Sequence, residues 1–394
     1  MIEKQLRSQL RALCITRGLL HFEPVKKFLQ MLDTLEDSSS TADRISSIGA
    51  YAASLLPYNM DLATAMLDFL KSDRNVYVEN ILAGRDNQAL EAMLKAELEL
   101  LTQAASVAPQ LIASRLPGYR GYLPIWQTGS HDIQTEYCNY LKDVRTAGFG
   151  MFRGNYMFAL GRRHVYPVSH PDPVRLSDLH GYERQRSVVL RNTRLLLEGG
   201  TASNVLLYGD SGTGKSTTVK AVANELGPEG LRLVEVRKSQ IHRLPRLLDE
   251  LGREPLKFVV FIDDLSFTDE DDNFGSLKAI LEGSVQSRAA NVVIYATSNR
   301  RRMIRETFSE RGDDDIHANE TVQQKTALSD RFGITLAFTN PKRDDFLQMV
   351  RQLAGDTDVP EEELFAGAER YALEKGGRSG RVARQYVEQL ALAR

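Results

Sequence analysis

The sequence predicts an α/β fold in which a parallel sheet is sandwiched between helices and a phosphate-binding loop follows a buried strand. A mostly helical N-terminal region precedes it and a further helical segment follows. Three observations carry this reading. Between residues 179 and 340, short apolar, β-branched runs alternate with helical stretches, the pattern of strands buried on both faces and joined by crossover helices. One run leads directly into a glycine-rich loop, Gly209 to Ser216. Another closes on two adjacent acids, Asp263 and Asp264.

Residues 1–164 read as a mostly helical domain. Its clearest helix is Asn87 to Ala105, where Leu90, Leu94, Leu98, Leu101 and Ala105 form one apolar stripe and Glu91, Lys95 and Glu99 fall off it. The serine-rich stretch 38–43 is a loop suited to capping the next helix. Over 119–166 the texture changes to closely spaced aromatics (Tyr119, Tyr122, Trp126, Tyr137, Tyr140, Phe149, Phe152, Tyr156, Phe158, Tyr166) interleaved with Gly and Arg. Such a segment can stack bases or clasp a partner protein; its commoner role is an irregular layer whose rings pack the helical region onto the next domain. Residues 165–178, with three prolines, read as a linker. Five strands are expected in 179–340: Val205–Tyr208, Leu231–Val236, Phe258–Asp263, Val292–Thr297 and Thr335–Phe338. Beyond Pro341 helices are expected at 342–354, 360–375 and 379–393.

Composition narrows the function. The chain has 394 residues, 42% hydrophobic and 26% charged, with a formal net charge of −2. Acidic and basic residues balance in each half, which excludes nucleic-acid binding by bulk charge and leaves only a local patch. No apolar run approaches the roughly 18 residues of a spanning helix, and the N-terminus is interrupted by charges throughout. Two cysteines, Cys14 and Cys138, are too few for a disulfide framework or a zinc cage. The chain therefore reads as a soluble, cytoplasmic, multidomain protein without membrane contact.

The loop Gly209-Asp210-Ser211-Gly212-Thr213-Gly214-Lys215-Ser216, followed by Thr217, satisfies G-x-x-x-x-G-K-[ST]. Its glycines let the backbone wrap a phosphate so that successive N–H groups point inward. Lys215 is placed for β- and γ-phosphates and the Ser216 hydroxyl for Mg2+. The string follows an apolar strand and opens a helix that stops at Gly227-Pro228, and that context turns a common string into a nucleoside triphosphate site. The strand Phe258–Ile262 ends on Asp263, the expected Mg2+-organising carboxylate, and Asp264, the candidate to polarise the attacking water. Asp269 to Asp272 read as a solvated acidic turn.

With these parts in place the chain resembles an AAA+ ATPase, and more closely the bacterial DUF815 family of AAA+ ATPases. The resemblance covers about 175–394, through LHGYERQR, LLYGDSGTGKST, FIDDLSF, LKAILEG, IYATSNRR, LSDRFG and RSGRVARQ. It implies a five-stranded parallel αβα nucleotide domain (179–340), a helical lid (341–394), ATP with Mg2+, and a homo-oligomeric, ring-like assembly. It implies that Asn299 orients the lytic water as sensor one, and that Arg331 in LSDRFG is the arginine finger reaching a neighbouring subunit. An ordinary ion pair with Asp330 or Asp315 is the alternative for Arg331. Arg381 matches the lid's second sensor, with Arg378 competing, and Gly181-Tyr182 match the segment that packs on adenine. One departure is Asp-Asp where AAA+ proteins usually have Asp-Glu, so slow or partner-stimulated turnover is expected; Glu282 is a weaker rival for the water-positioning role. The function so implied is an ATPase that remodels or loads a macromolecular client, protein or nucleic acid, held by the N-terminal region. The alternative is a low-turnover ATP-dependent switch gripping DNA or a protein, for which Arg300-Arg301-Arg302 is one basic feature. A small-molecule kinase fits less well, because such enzymes usually keep their arginines in the same chain.

Overall fold

A computed structural model of the chain describes residues 2–266, 272–282, 289–299 and 331–392. It divides into two compact units, Met1–Gly154 and Asn155–Arg394.

The first unit is helical: α1 Ile2–Arg11, α2 Glu23–Glu36, α3 Thr41–Leu55, α4 Leu62–Ser72, α5 Val76–Leu82, α6 Gln88–Ala105, α7 Pro109–Ala113, α8 Ile133–Lys142 and α9 Val144–Ala147. The serine-rich loop does cap α3. Ser40 Oγ accepts from the Asp43 N–H and Asp43 accepts from the Ser40 N–H, a reciprocal capping box. The α6 stripe buries Leu94, Leu98, Leu101 and Ala105. Glu97 is buried beside them, and its carboxylate accepts from the backbone N–H groups of Cys14 (2.7 Å), Ile15 (3.0 Å) and Thr16 (2.8 Å) and from Thr16 Oγ1 (2.7 Å). One side chain thus satisfies three successive amides that no helix supplies with acceptors.

The aromatic segment is mostly core. Trp126, Tyr137 and Phe149 are buried in the first unit. The Trp126 indole N–H donates to Val107 O at 2.8 Å, and its ring meets Tyr51 edge-on at 5.1 Å. Tyr122 and Tyr166 are exceptions, 83% and 48% exposed.

Among the described residues the second unit is built on a sheet of seven strands: β1 Met157–Leu160, β2 Val165–Pro167, β3 Val205–Gly209, β4 Leu231–Glu235, β5 Lys257–Ile262, β6 Val292–Ser298 and β7 Ile334–Phe338, in the order β2-β1-β4-β5-β6-β3-β7. The five expected strands are present within about a residue of their expected ends. The two additions correct the five-stranded expectation. β1 pairs parallel with β4, and β2 turns back antiparallel on β1. They occupy residues assigned from sequence to the helical domain and the linker, so this unit begins at Asn155. β2 ends in Pro167 on the sheet's outer edge, where a missing N–H leaves no ladder bond unmade.

The core under the sheet holds Val205, Leu207, Val222, Leu233, Val259, Phe261, Val293 and Tyr295. Around it run α10 Glu183–Leu197, α11 Lys215–Leu226, α12 Leu244–Gly252 and α13 Asp272–Glu282. The last three helices, α14 Arg343–Ala354, α15 Glu361–Glu374 and α16 Gly380–Leu392, share their own core of Phe346, Val350, Leu364, Ala368, Ala383 and Tyr386. β3 lies between β6 and β7, all parallel, with β5 beyond β6. The carboxyl ends of β3, β5 and β6 therefore open on one crevice, where open α/β sheets take ligands. Among the described residues no helix is long and apolar enough to cross a membrane.

Replacing Glu97 with Ala should lower the unfolding free energy of the chain by about 3 kcal/mol, because buried amides lose a charged acceptor. Denaturant unfolding measures this, and a loss below about 1 kcal/mol would contradict the anchoring role.

Candidate functional site

The loop between β3 and α11 is wound as the sequence requires. Gly212 and Gly214 take φ of 76° and 88°, left-handed values that suit glycine, and Gly214 N-caps α11. Ser211 to Thr217 line a cleft of about 750 Å3, while Gly209 and Asp210 are not among its lining residues. Lys215 Nζ donates to Gly209 O at 2.8 Å, Asp210 O at 2.7 Å and Asn299 Oδ1 at 3.2 Å. Burial holds its ammonium below the usual lysine range, against the pull of Asp210, Asp263 and Asp264.

Across the cleft, β5 and β6 are in register with Ile262 opposite Ala296, which sets Asp263 beside Thr297. Asp263 Oδ1 accepts from Ser216 Oγ at 2.5 Å, from Thr297 Oγ1, and from the Asp264 N–H at 3.2 Å. Asp263 Oδ2 has no hydrogen-bond partner among the described residues. Asp264 has φ 51°, a left-handed conformation that Asp tolerates better than most residues. Its N–H donates to Thr297 Oγ1 at 2.9 Å, and its Oδ1 accepts from Asn299 Nδ2 at 2.8 Å. Thr297 therefore holds the turn that presents both acids. Nothing in the sequence alone singled it out, since its role depends on the register of two strands.

The cleft's other wall is apolar. Leu179, His180, Gly181 and Tyr182 face Met349 and Leu353 of α14. Gly181 has φ 73°, a left-handed value that strains other residues, and a Cβ there would lie 2.1 Å from Met349 Cε and displace that methyl. The Tyr182 ring packs on Phe338 at 5.0 Å, its hydroxyl donates to Thr339 O at 2.7 Å, and burial beside Asp210 and Asp345 pushes it up to about 12. His180 is pushed below the ordinary histidine value by burial, with Arg186 and Arg384 adding to it.

The three C-terminal helices close directly on the loop. The Arg381 N–H donates to Gly212 O at 3.1 Å, and Gly380, Arg381, Arg384, Gln385 and Glu388 line the cleft. Arg378 is instead paired with Glu369, at 3.1 and 2.7 Å. Of the two competing arginines, Arg381 is the one in the cleft. Asp210, expected only as a loop residue, is also a joint. Its N–H donates to Phe338 O at 2.9 Å, and its Oδ2 accepts from the Asn340 N–H at 2.7 Å, where the chain leaves β7 for α14.

Arg331 is exposed and outside the cleft lining. It precedes β7, whose far end, Phe338, pairs with Gly209. At about 3.3 Å per residue the two ends of β7 are on the order of 13 Å apart, so Arg331 sits at the sheet edge opposite its own phosphate loop. Asp269 to Asp271, Arg300 to Arg302, Glu306 to Thr321, Asp315 and Asp330, and the side chains of Asp272 and Glu282, lie outside the described residues.

The donor set suits a magnesium nucleotide. Ser216 Oγ and the Asp263 carboxylate are hard oxygen ligands already in contact beside a backbone nest and an ammonium, the arrangement in which Mg2+ is shared with phosphates. A cleft of this size with one apolar wall and one polar wall is also ordinary for a ligand. Fold and site together define an open α/β protein whose phosphate-binding-loop motif opens on a ligand-sized cleft. The chain belongs to the family described as Protein of unknown function (DUF815), which matches residues 154–393. It is also similar to proteasome-activating nucleotidase 1 of Haloferax volcanii, 33% identical over 118 residues that cover 26% of this chain and 29% of that protein. Among solved structures it is similar to the Thermotoga maritima RuvB Holliday junction branch migration motor, at 16% identity and TM-score 0.37, covering 55% of this chain and 64% of that one. A single-residue variant of that motor gives 15% identity and TM-score 0.38. The chain thus spans under a third of the nucleotidase and just under two thirds of the motor.

Asp210→Ala should release the Asn340 N–H and speed its amide hydrogen exchange about tenfold, the equivalent of roughly 1.4 kcal/mol for one lost hydrogen bond to a carboxylate. Unchanged exchange there would remove the joint from the account.

Proposed function

We propose that this chain binds ATP with Mg2+ and hydrolyses it at a site completed by a neighbouring copy, using the cycle to remodel or load a macromolecular client. The observation that carries the reading is the convergence of Lys215, Ser216, Asp263, Asp264, Asn299 and Arg381 on one cleft with an apolar wall. The loop amides and Lys215 would hold the phosphates, and Gly181-Tyr182 with Met349 would hold the base. Ser216 and Asp263 would hold the metal, which supplies charge neutralisation on the phosphates when bound. Asp264, oriented by Asn299, would take the water's proton. Arg381, on the helix that touches Gly212, would report the nucleotide to the C-terminal helices. Arg331 would act on a second copy's cleft, since it stands at the sheet edge away from its own; a guanidinium there would stabilise transition-state charge. Such sharing makes the working form a homo-oligomer, with a ring as its natural closure. The first unit and the aromatic segment 119–166, which runs on into the second unit, are the proposed holders of the client.

One observation favours the low-turnover reading as the second choice. The Asp264 carboxylate is engaged by Asn299 on a backbone fixed in the left-handed region. A base so held, and one methylene shorter than Glu, gives slow basal hydrolysis.

Hydrolysis per subunit, followed from nanomolar to tens of micromolar protein, should rise and then saturate; a measurable rate independent of concentration would remove the shared site. Lys215→Ala should abolish nucleotide binding, and Asp264→Asn should leave ATP bound but uncleaved, with turnover down at least about a hundredfold. Undiminished hydrolysis in Asp264→Asn would move the water-positioning role elsewhere. Arg331→Ala should lose turnover and regain part of it when mixed with Lys215→Ala chains that carry an intact Arg331. Absence of rescue at every ratio would count against Arg331 acting between copies.

A further inference from the structure

The turn joining β1 and β2 carries Gly161-Arg162-Arg163-His164, closed by the Gly161 N–H donating to His164 O at 2.9 Å. The parallel register of β1 on β4 places Ala159 opposite Glu235, and two residues further on Gly161 comes beside Arg237. The segment after β4 is tied to this turn from its own side. Gln240 Nε2 donates to Leu160 O at 2.8 Å, and the Arg243 guanidinium donates to Gly161 O. Two stretches some 75 residues apart in sequence thus form one surface at the carboxyl end of the sheet.

Among the described residues the charge of this surface is one-sided. Arg162, Arg163 and Arg237 are exposed and have no carboxylate within ion-pair distance among the described residues. Lys238 follows directly, half-buried. The acids close by in sequence are occupied or recessed: Asp249 pairs with Arg253, Glu250 pairs with Arg246, and Glu235 is half-buried at the end of β4. In a chain of net charge −2, such a grouping is local and does not follow from composition.

An aromatic ring completes it. Tyr166 on the edge strand β2 is 48% exposed, and a Cβ on Gly161 would lie 3.1 Å from its ring, so the ring covers the turn that bears the arginines. Guanidinium groups beside an open aromatic face match the two chemistries of a single strand, phosphates every nucleotide and unpaired bases to stack. An acidic polypeptide would use the charges and leave the ring idle.

We propose that the β1–β2 turn and the start of the segment after β4 form a binding surface for single-stranded nucleic acid, with Arg162, Arg163 and Arg237 on the phosphates and Tyr166 stacked on a base. This names the class of client that the proposed function leaves open, and it rests on that reading only in treating the strand as a client. The surface lies two strands from Asp263 along the same sheet edge, on the order of 10 Å away.

The test is fluorescence anisotropy of labelled oligo(dT) with the full chain over a range of salt concentrations, with ATP binding measured on every variant. The intact chain should bind with a log-affinity against log-salt slope of about −2, from roughly −0.7 per neutralised phosphate on three arginines. Arg162→Glu/Arg163→Glu/Arg237→Glu should weaken binding at least tenfold and flatten the slope while ATP binding is retained. Tyr166→Ala should weaken it about tenfold with the slope unchanged. A charge-matched control at exposed arginines elsewhere, Arg184→Glu/Arg191→Glu/Arg370→Glu, should bind nearly as the intact chain does. The proposal is overturned if the first triple variant binds as the intact chain does, if the control loses as much, or if polyglutamate binds and oligo(dT) does not. Loss of ATP binding by Lys215→Ala alone tests the nucleotide reading separately, and oligo(dT) binding in that variant should persist.

Discussion

One carboxylate oxygen organises the nucleotide cleft. Asp263 Oδ1 accepts from Ser216 on α11, from Thr297 on β6 and from the backbone of Asp264, so a helix, two strands and a tight turn are fixed at one atom. The arrangement leaves Oδ2 without a protein partner among the described residues, a lone acceptor beside the phosphate loop. The left-handed backbone at Asp264 follows from the same constraint. Its amide is drawn to Asp263 and Thr297 at once, and its side chain is thereby turned to Asn299.

The second constraint joins the loop to the C-terminal helices. Asp210 and Tyr182 hold the exit from β7 by Asn340 N and Thr339 O, while the start of α16 rests on Gly212 through the Arg381 amide. A phosphate entering the loop would therefore meet a loop bonded both to the start of the C-terminal helical segment, through the Asp210 side chain, and to the start of its last helix, through Gly212 O. That is the physical basis for expecting those helices to respond to the nucleotide, because displacement of the loop has no slack to absorb it.

Much of this was legible in the sequence, for identifiable reasons. The loop and the strand that ends in Asp263 are local signals: glycine spacing, a lysine, and an apolar run closing on acids. Of the five expected strands, β4, β5 and β6 are almost wholly buried apolar runs, so their composition alone marks them. β1 and β2 were not legible. Met157–Leu160 is four residues long in a glycine- and arginine-rich stretch, Val165–Pro167 ends in proline, and both become strands only by pairing onto β4 far along the chain. Thr297 and the Asp210 joint were hidden for the same reason, since each acts through a partner fixed by strand register. The aromatic segment was half legible: Trp126 and Tyr137 went to the core, and Tyr166 stayed at the surface beside arginines that composition could not bring together. Choosing Arg381 over Arg378 needed the Glu369 ion pair, which sequence spacing does not reveal.

The measurement closest to the centre of this account is the affinity of the intact chain for ATP by calorimetric titration, with Mg2+ and with the metal chelated. If Ser216 and Asp263 hold the metal between protein and phosphates, Mg2+ should tighten ATP binding at least about tenfold, some 1.4 kcal/mol. Equal affinity in the two conditions would mean that the Asp263 cluster is a structural clasp alone and that the cleft does not use a metal.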